Sequence, residues 1–544
     1  MRPRIFAFFY FFFLLSCSQK QKADLLLYNA TIYTVDSSFS VAEAIVIADG
    51  KIVAIGKLSD LEKKYDANQK VDTEGKFIYP GFIDAHAHFV AYGTALQTAN
   101  FIGTNSWGDV IEKLEAFAKN HSQGWLTGHG WDQNDWAVKN FPTNEKLNEL
   151  FPDRPVLLTR IDYHAAIANQ KALDEAGIKP GFTMTGGEAE VKNSKLTGLL
   201  IDNAIDLVTA KIPTADKEQF KKALKDAEKD CFAMGITTVD DCGLTYDEAE
   251  NIKALQDKGE LKMRLYILLS DVKPNFDYLE KKGIIKTDRL HIRGFKLLAD
   301  GALGSRGACL LQPYTDKPGY YGLLRSKRDH FDSAANWISQ KGFQMCTHAT
   351  GDSGTRTMLS IYAKYLKGKN DLRWRIEHAQ VVNQNDFNLF GQYSIIPSVQ
   401  PTHATSDMYW AGVRLGIERI KGAYAYKRLL RQNGWIPLGT DFPVEDISPI
   451  KTFYAAVVRK DIRGWPKDGF QMDNALTREE ALRGMTIWAA RANFEEKEKG
   501  SLEAGKWADF IILDQDIMKA NENELSQIQV LKTYLGGERV FEKK

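Results

Sequence analysis

The chain has 544 residues, 44% of them hydrophobic, enough for one large core and a smaller one. Basic and acidic residues balance at 71 against 70, giving a net charge of +1, which removes any electrostatic case for nucleic acid or an anionic membrane face as partner. Five cysteines (Cys17, Cys231, Cys242, Cys309 and Cys346) contain no CxxC pair, which excludes a disulfide framework and a zinc ribbon.

At the N-terminus, Arg2 and Arg4 precede an apolar run from Ile5 to Leu15. That run is too short to span a bilayer and has the length of a signal-peptide core. It ends Leu14-Leu15-Ser16-Cys17 before the polar stretch 18–22, and resembles the bacterial lipoprotein signal; a secretory signal that merely contains a cysteine is the alternative. The expectation is a signal peptide over 1–17, a lipid anchor on Cys17 and a tether over 18–23. Membrane attachment would be through that lipid only. The location would be the bacterial cell envelope, facing the periplasm, with Ser18 pointing to the outer membrane.

From Asp24 to Thr34 the chain is rich in β-forming residues, and the runs 44–48 and 51–56 are joined by Asp49-Gly50, a hairpin signal because that pair accepts positive φ. Strand-like runs return at 507–513 and 530–541, the second folded about Gly536-Gly537. Both ends are therefore expected to share a β-sandwich, 24–79 with 491–544. Between them, strand candidates are 82–88, 236–240, 263–269, 292–299, 343–348, 374–378, 395–400 and 436–441. Helical patterns such as 217–234, 329–341, 352–366 and 425–432 separate most neighbours. Such alternation predicts an α/β fold, a (β/α)8 TIM barrel over 80–490. The first two strands lie too far apart for one crossover, so an insertion is expected over about 95–212, above the barrel mouth.

The chemistry-bearing residues fall at strand ends. Asp84-Ala85-His86-Ala87-His88 closes the first strand, and side chains two apart on a strand share a face, so His86 and His88 can reach one ion. His348 ends the fifth strand, His378 the sixth and Asp441 the eighth, while Lys296 interrupts an apolar fourth strand. Catalytic residues of such barrels converge at these C-terminal ends. Singly, each has an ordinary explanation. A histidine can be a hydrogen-bonded core residue, Lys296 can pair with Asp300 or Glu377, and Asp441 can cap a helix. Together they make a nitrogen and oxygen donor set suited to zinc or a similar divalent ion.

With these residues, the sequence resembles the amidohydrolase superfamily, within it the branch of N-substituted formamide deformylases and YtcJ-like proteins. The matching stretches are 80–88, Lys296 with 299–306, 348–352, 375–379, 398–403, 439–443, 500–509 and, in the insertion, 128–133. The resemblance implies that His86, His88 and Asp441 hold one ion, His348 and His378 a second, and a carboxylated Lys296 bridges them. It also implies a metal-activated hydroxide as nucleophile, with Asp441 as the catalytic residue that carries its proton to the leaving nitrogen. His164, His403 and Asp300 are expected substrate contacts. Two departures stand out: His129 replaces a common arginine, and Tyr163 a common glycine. Trp131, Trp136 and Trp410 are expected near the mouth.

The expected activity is hydrolysis of a non-peptide carbon–nitrogen bond, amide or formamide, in a small molecule. The alternatives are an ester, lactone or cyclic amidine as substrate, and a lipoprotein that only binds a small ligand. All six ligand positions are present, which counts against the last. Homo-oligomer formation is left open.

Overall fold

The computed structural model describes residues 20–544. Its central sheet contains seven parallel strands, neighbour to neighbour: Phe82–Ala87, Ile236–Leu244, Arg264–Ser270, Leu290–Leu298, Gln344–Ala349, Arg375–His378 and Ile396–Ser398. The first, fifth and sixth are buried at every position, as strands covered on both faces must be.

The expected eighth strand, 436–441, is not a regular strand, although it closes the barrel. Leu438 bridges Val399 in parallel. Gly439 N donates to Val399 O, and Ala85 N and Asp441 N join this segment to the first strand through Leu438 O and His86 O. Regular pairing is interrupted because Pro437 has no N–H and Asp441 has φ 67. The result is a nearly closed TIM barrel with an irregular seam beside the first strand.

A six-stranded sheet mixes both termini: Glu538–Glu542, Val530–Leu535, Phe510–Leu513, Phe77–Pro80, Thr31–Tyr33 and Val41–Ala42. A four-stranded sheet (Lys51–Gly56, Ala44–Ala48, Gln21–Tyr28, Tyr65–Asp72) packs against it. Alternation decides the layers: Leu25 and Leu27 join Ile32, Ile78 and Phe510 in one core, whereas Leu26 turns to Ala44, Val46 and Leu61 of the helix Leu58–Lys64. The Asp49-Gly50 turn takes φ 51 and 72, the left-handed pair that a tight hairpin needs.

Between the first and second barrel strands the chain builds another six-stranded sheet, running in sequence from Ala99 to Asp202. Leu158 and Leu157 point to opposite faces and enter separate apolar clusters. This sheet carries the turn after Val156–Arg160 to the barrel mouth, backed by Asp202 at the end of the strand Lys195–Asp202.

The expected location requires correction. Cys17 and the signal segment lie outside the described residues, and no helix among the described residues is long and apolar enough to cross a membrane. Nothing in the structure supports a lipid-anchored envelope location, and that assignment is withdrawn.

Candidate metal centre and its comparisons

Alternation on the first strand aims His86 into the barrel, where it is fully buried. Its Nδ1 meets Glu377 Oε2 at 2.5 Å, which turns Nε2 towards the mouth. A histidine whose second nitrogen is held by a carboxylate is a common metal-ligand arrangement. Asp441 stands across from it. Its Oδ1 is 3.6 Å from His86 Nε2 and 3.3 Å from His88 Nε2, and its Oδ2 is 3.1 Å from His403 Nε2 and 4.0 Å from His378 Nδ1. The rings of His86 and His348 flank that of His378 at 4.7 and 4.5 Å between centroids. Lys296 Nζ lies 3.0 Å from His86 Nε2. The five histidine and aspartate positions expected as ligands, together with Lys296, therefore gather at one rim of the barrel. His88, Lys296, His348, His378, His403 and Asp441 line a cavity of about 490 Å³.

Residues 69–541 match the amidohydrolase family. The chain belongs to the amidohydrolase family. This amidohydrolase is 30% identical to a putative amidohydrolase, YtcJ, of Bacillus subtilis, over 86% of this chain and 90% of that one. It is 27% identical to an N-substituted formamide deformylase of Arthrobacter pascens, over 96% and 99% of the two chains. Among solved structures, a metal-dependent hydrolase of Pyrococcus horikoshii superposes with a TM-score of 0.74 at 27% identity, covering 92% of this chain and 99% of that one. The protein is thus a metal-dependent hydrolase of this superfamily.

The residues present fit a cation. Asp441 Oδ1 is buried without a hydrogen-bond partner, and an orphaned carboxylate oxygen beside two imidazoles calls for positive charge. Two groups of ligand atoms converge within 4.8 Å: His86, His88 and Asp441, and His378, His403 and Asp441. Burial, helped by the Lys296 charge, pushes the His86 imidazole down to about 4. Burial likewise holds His348 and His378 well below the usual histidine range. Neutral imidazole is the form that binds metal. Burial would raise the Asp441 carboxyl, but the hydrogen bond from His403 and the neighbouring imidazole of His88 overcome it and hold the group well below the carboxylate range. At Glu377 burial is outweighed by the interaction with His86, hydrogen-bonded to it, and by the Arg375 charge, which hold its carboxyl at about 2.

Several expectations shift in detail. His348 comes beside His378 but joins neither converged group; its Nε2 meets Thr350 Oγ1 at 2.8 Å and Gly301 O at 3.3 Å. His403, expected as a substrate contact, lines the cavity and also bridges Asp441 and Glu445, its Nδ1 lying 3.2 Å from Glu445 Oε1. Burial would lower it, and the two carboxylates draw it well above the usual range. Asp300, expected as a substrate contact, lies behind the site. It does not line the cavity, and its carboxylate accepts the backbone N–H groups of Thr350, Cys309 and Gly351, tying two loops together behind His348. His164 does line the cavity.

Trp410 also lines the cavity, but Trp131 and Trp136 are buried in the core of the insertion, donating to Leu158 O and Thr104 O. Tyr163 has φ 59, the left-handed conformation that favours glycine, which accounts for glycine at the matching position of the resembling family. Sequence reasoning did not foresee Glu377 as the partner of His86. The signal was available, since Glu377 alternates with Ile376 on a strand that ends at His378.

Proposed function

We propose that this amidohydrolase hydrolyses a non-peptide carbon–nitrogen bond, of amide or formamide type, in a small molecule. The observation that carries the reading is Asp441: one oxygen orphaned towards His86 and His88, the other held by His403, at the floor of a cavity sized for a small substrate. The likeness to a formamide deformylase along nearly the whole chain supports the choice of bond. His86, His88 and Asp441 are assigned to one ion, with His378 and His348 beside a second. The nitrogen and oxygen donors suit zinc. When bound, the metal supplies Lewis acidity towards the carbonyl and lowers the pKa of water.

The remaining chemistry belongs to the chain. Asp441 takes a proton from the attacking water and returns it to the leaving nitrogen, without which an amine is too poor a leaving group. Glu377 keeps the Nε2 of His86 aimed at the centre. His403 holds the Asp441 carboxylate in place. Lys296 is assigned as the carboxylated bridge. Among the described residues, no carboxylate lies within ion-pair reach of its buried Nζ, so the ion pairs with Asp300 or Glu377 are not made. A lysine amine can add carbon dioxide and lose a proton to give an anionic ligand.

The test is a panel of N-formyl, N-acyl and cyclic amides, with matched esters, offered to the metal-loaded enzyme and to D441N. The expected result is amide turnover that falls about 10³-fold or more in D441N with the fold retained. Undiminished turnover in that variant removes Asp441 from its role.

A further inference from the structure

On the wall contributed by the insertion stands a second histidine–carboxylate pair, His164 and Asp202. His164 lines the cavity, and its ring lies 4.9 Å from that of His348. Its Nδ1 is 2.6 Å from Asp202 Oδ1. Asp202 is 1% exposed and its Oδ2 has no hydrogen-bond partner. The backbone there is strained, with φ 49 and ψ −123, a region that a residue with a side chain rarely adopts.

The surroundings are shaped to admit this carboxylate. A Cβ on Gly301 would stand 2.4 Å from Asp202 Oδ2, and one on Gly307 2.5 Å from it. The glycines of the stretch 299–307 thus leave room for an aspartate that arrives from another part of the chain. His164 is fixed just as firmly. Its N–H donates to Asp162 Oδ1 at 3.0 Å, Asp162 is gripped by Arg160, and Tyr163 between them takes positive φ. Asp202 N donates to His164 O, so main chain and side chain lock the same pair. Strain, an orphaned buried oxygen and a close-packed glycine pair are costs that packing alone does not explain.

With a carboxylate oxygen 2.6 Å from it, Nδ1 is the ring nitrogen that donates to Asp202, which leaves Nε2 as the nitrogen offered to the cavity. We propose that the His164–Asp202 pair orients the substrate by accepting the N–H of the scissile amide on His164 Nε2, and so selects secondary amides over tertiary amides and esters. This rests on the amide reading above and deepens it. A substrate without that N–H leaves Nε2 buried and unpaired, a kind of mismatch that sites built for a hydrogen bond reject strongly.

The experiment compares kcat/KM for one secondary amide, its N-methyl analogue and the matching ester. The metal-loaded wild type, H164F, D202N and G301A are compared, with metal content and circular dichroism recorded for each. Wild type is expected to favour the secondary amide over the N-methyl amide by about 100-fold. In all three variants the ratio collapses towards one with the metal retained. In D202N the amide side chain can donate to Nδ1, which moves the ring proton to Nε2, and 15N NMR of the histidine rings reads that change independently of turnover. A wild-type His164 already protonated on Nε2, or a preference unmoved in folded, metal-loaded D202N, overturns the proposal while leaving amide hydrolysis standing. An enzyme that cleaves only esters sinks the functional reading and this proposal with it.

Discussion

His86 reaches the cavity through one nitrogen because Glu377 occupies the other. The geometry predicts that E377A lowers metal affinity about 10- to 100-fold with little loss of fold, measured by competition with a chromophoric chelator. Unchanged affinity would make the pair structural only. Lys296 offers a second residue-level test: K296A should lose part of its bound metal and regain part of its activity with short carboxylic acids. If no such acid rescues the variant, the bridge assignment fails. His378 and Asp441 both sit at positive φ, 69 and 67, as side chains turned into a site often do. Of this constellation, the residues on or beside regular strands were readable in advance, since alternation and the barrel rim fix where they point. The place of His403 beside Asp441, and Asp202 altogether, were not. One lies in a helix, Pro401–Asp407, and the other at a strained strand end, so their directions depend on tertiary packing that periodicity does not encode.

At the level of elements, the weak point of the barrel is the seam at 436–441. Asp84 secures it: Oδ1 accepts the N–H groups of Thr440 and His86, and Oδ2 accepts the Thr440 hydroxyl at 2.7 Å. One carboxylate thereby fixes the spacing between a metal-site histidine and the segment that ends in Asp441. Gly439 must lack a side chain, because a Cβ would stand 2.6 Å from His86 N. T440V should cost about 1–3 kcal/mol in denaturant unfolding, by leaving a buried carboxylate oxygen unsatisfied. G439A should reduce bound metal by pushing the seam off the first strand. Seven strands of the barrel were legible as apolar runs, six of them within two residues at each end, while the second runs four residues beyond its expected end to Leu244. The eighth was legible in position but not in form, because Pro437 and the turn at Asp441 remove regular pairing from a run that still reads as apolar.

Across the whole molecule, the terminal sheets are fastened to the barrel by buried ionic contacts. Arg264, at the start of the third barrel strand, donates through Nε and an Nη to both oxygens of Asp509, which also accepts Gly536 N. Removing one partner of such a pair strands a buried charge, so D509A should lose on the order of 3 kcal/mol and lower the Tm. Glu495 sits between Lys499 at 2.7 Å and His291 at 3.3 Å. Burial raises its carboxyl, but the Lys499 charge and the His291 hydrogen bond prevail and hold it at about 2, against an ordinary 4.5. A depressed acid contributes stability that is complete above its unfolded value and is lost as pH falls towards its folded one. Unfolding free energy should therefore drop between about pH 4.5 and pH 2. In E495Q it should start lower at neutral pH and vary less across that window, by on the order of 3 kcal/mol.

The account stands on a divalent cation held where four lengths of chain meet: the ends of the first, fifth and sixth strands, and the closing seam. Elemental analysis of the purified enzyme, before and after exhaustive chelation and alongside turnover of its best amide, tests this most directly. One or two transition-metal ions per chain are predicted, with activity lost on chelation and restored by zinc. An enzyme that keeps full turnover with no ion bound would contradict it.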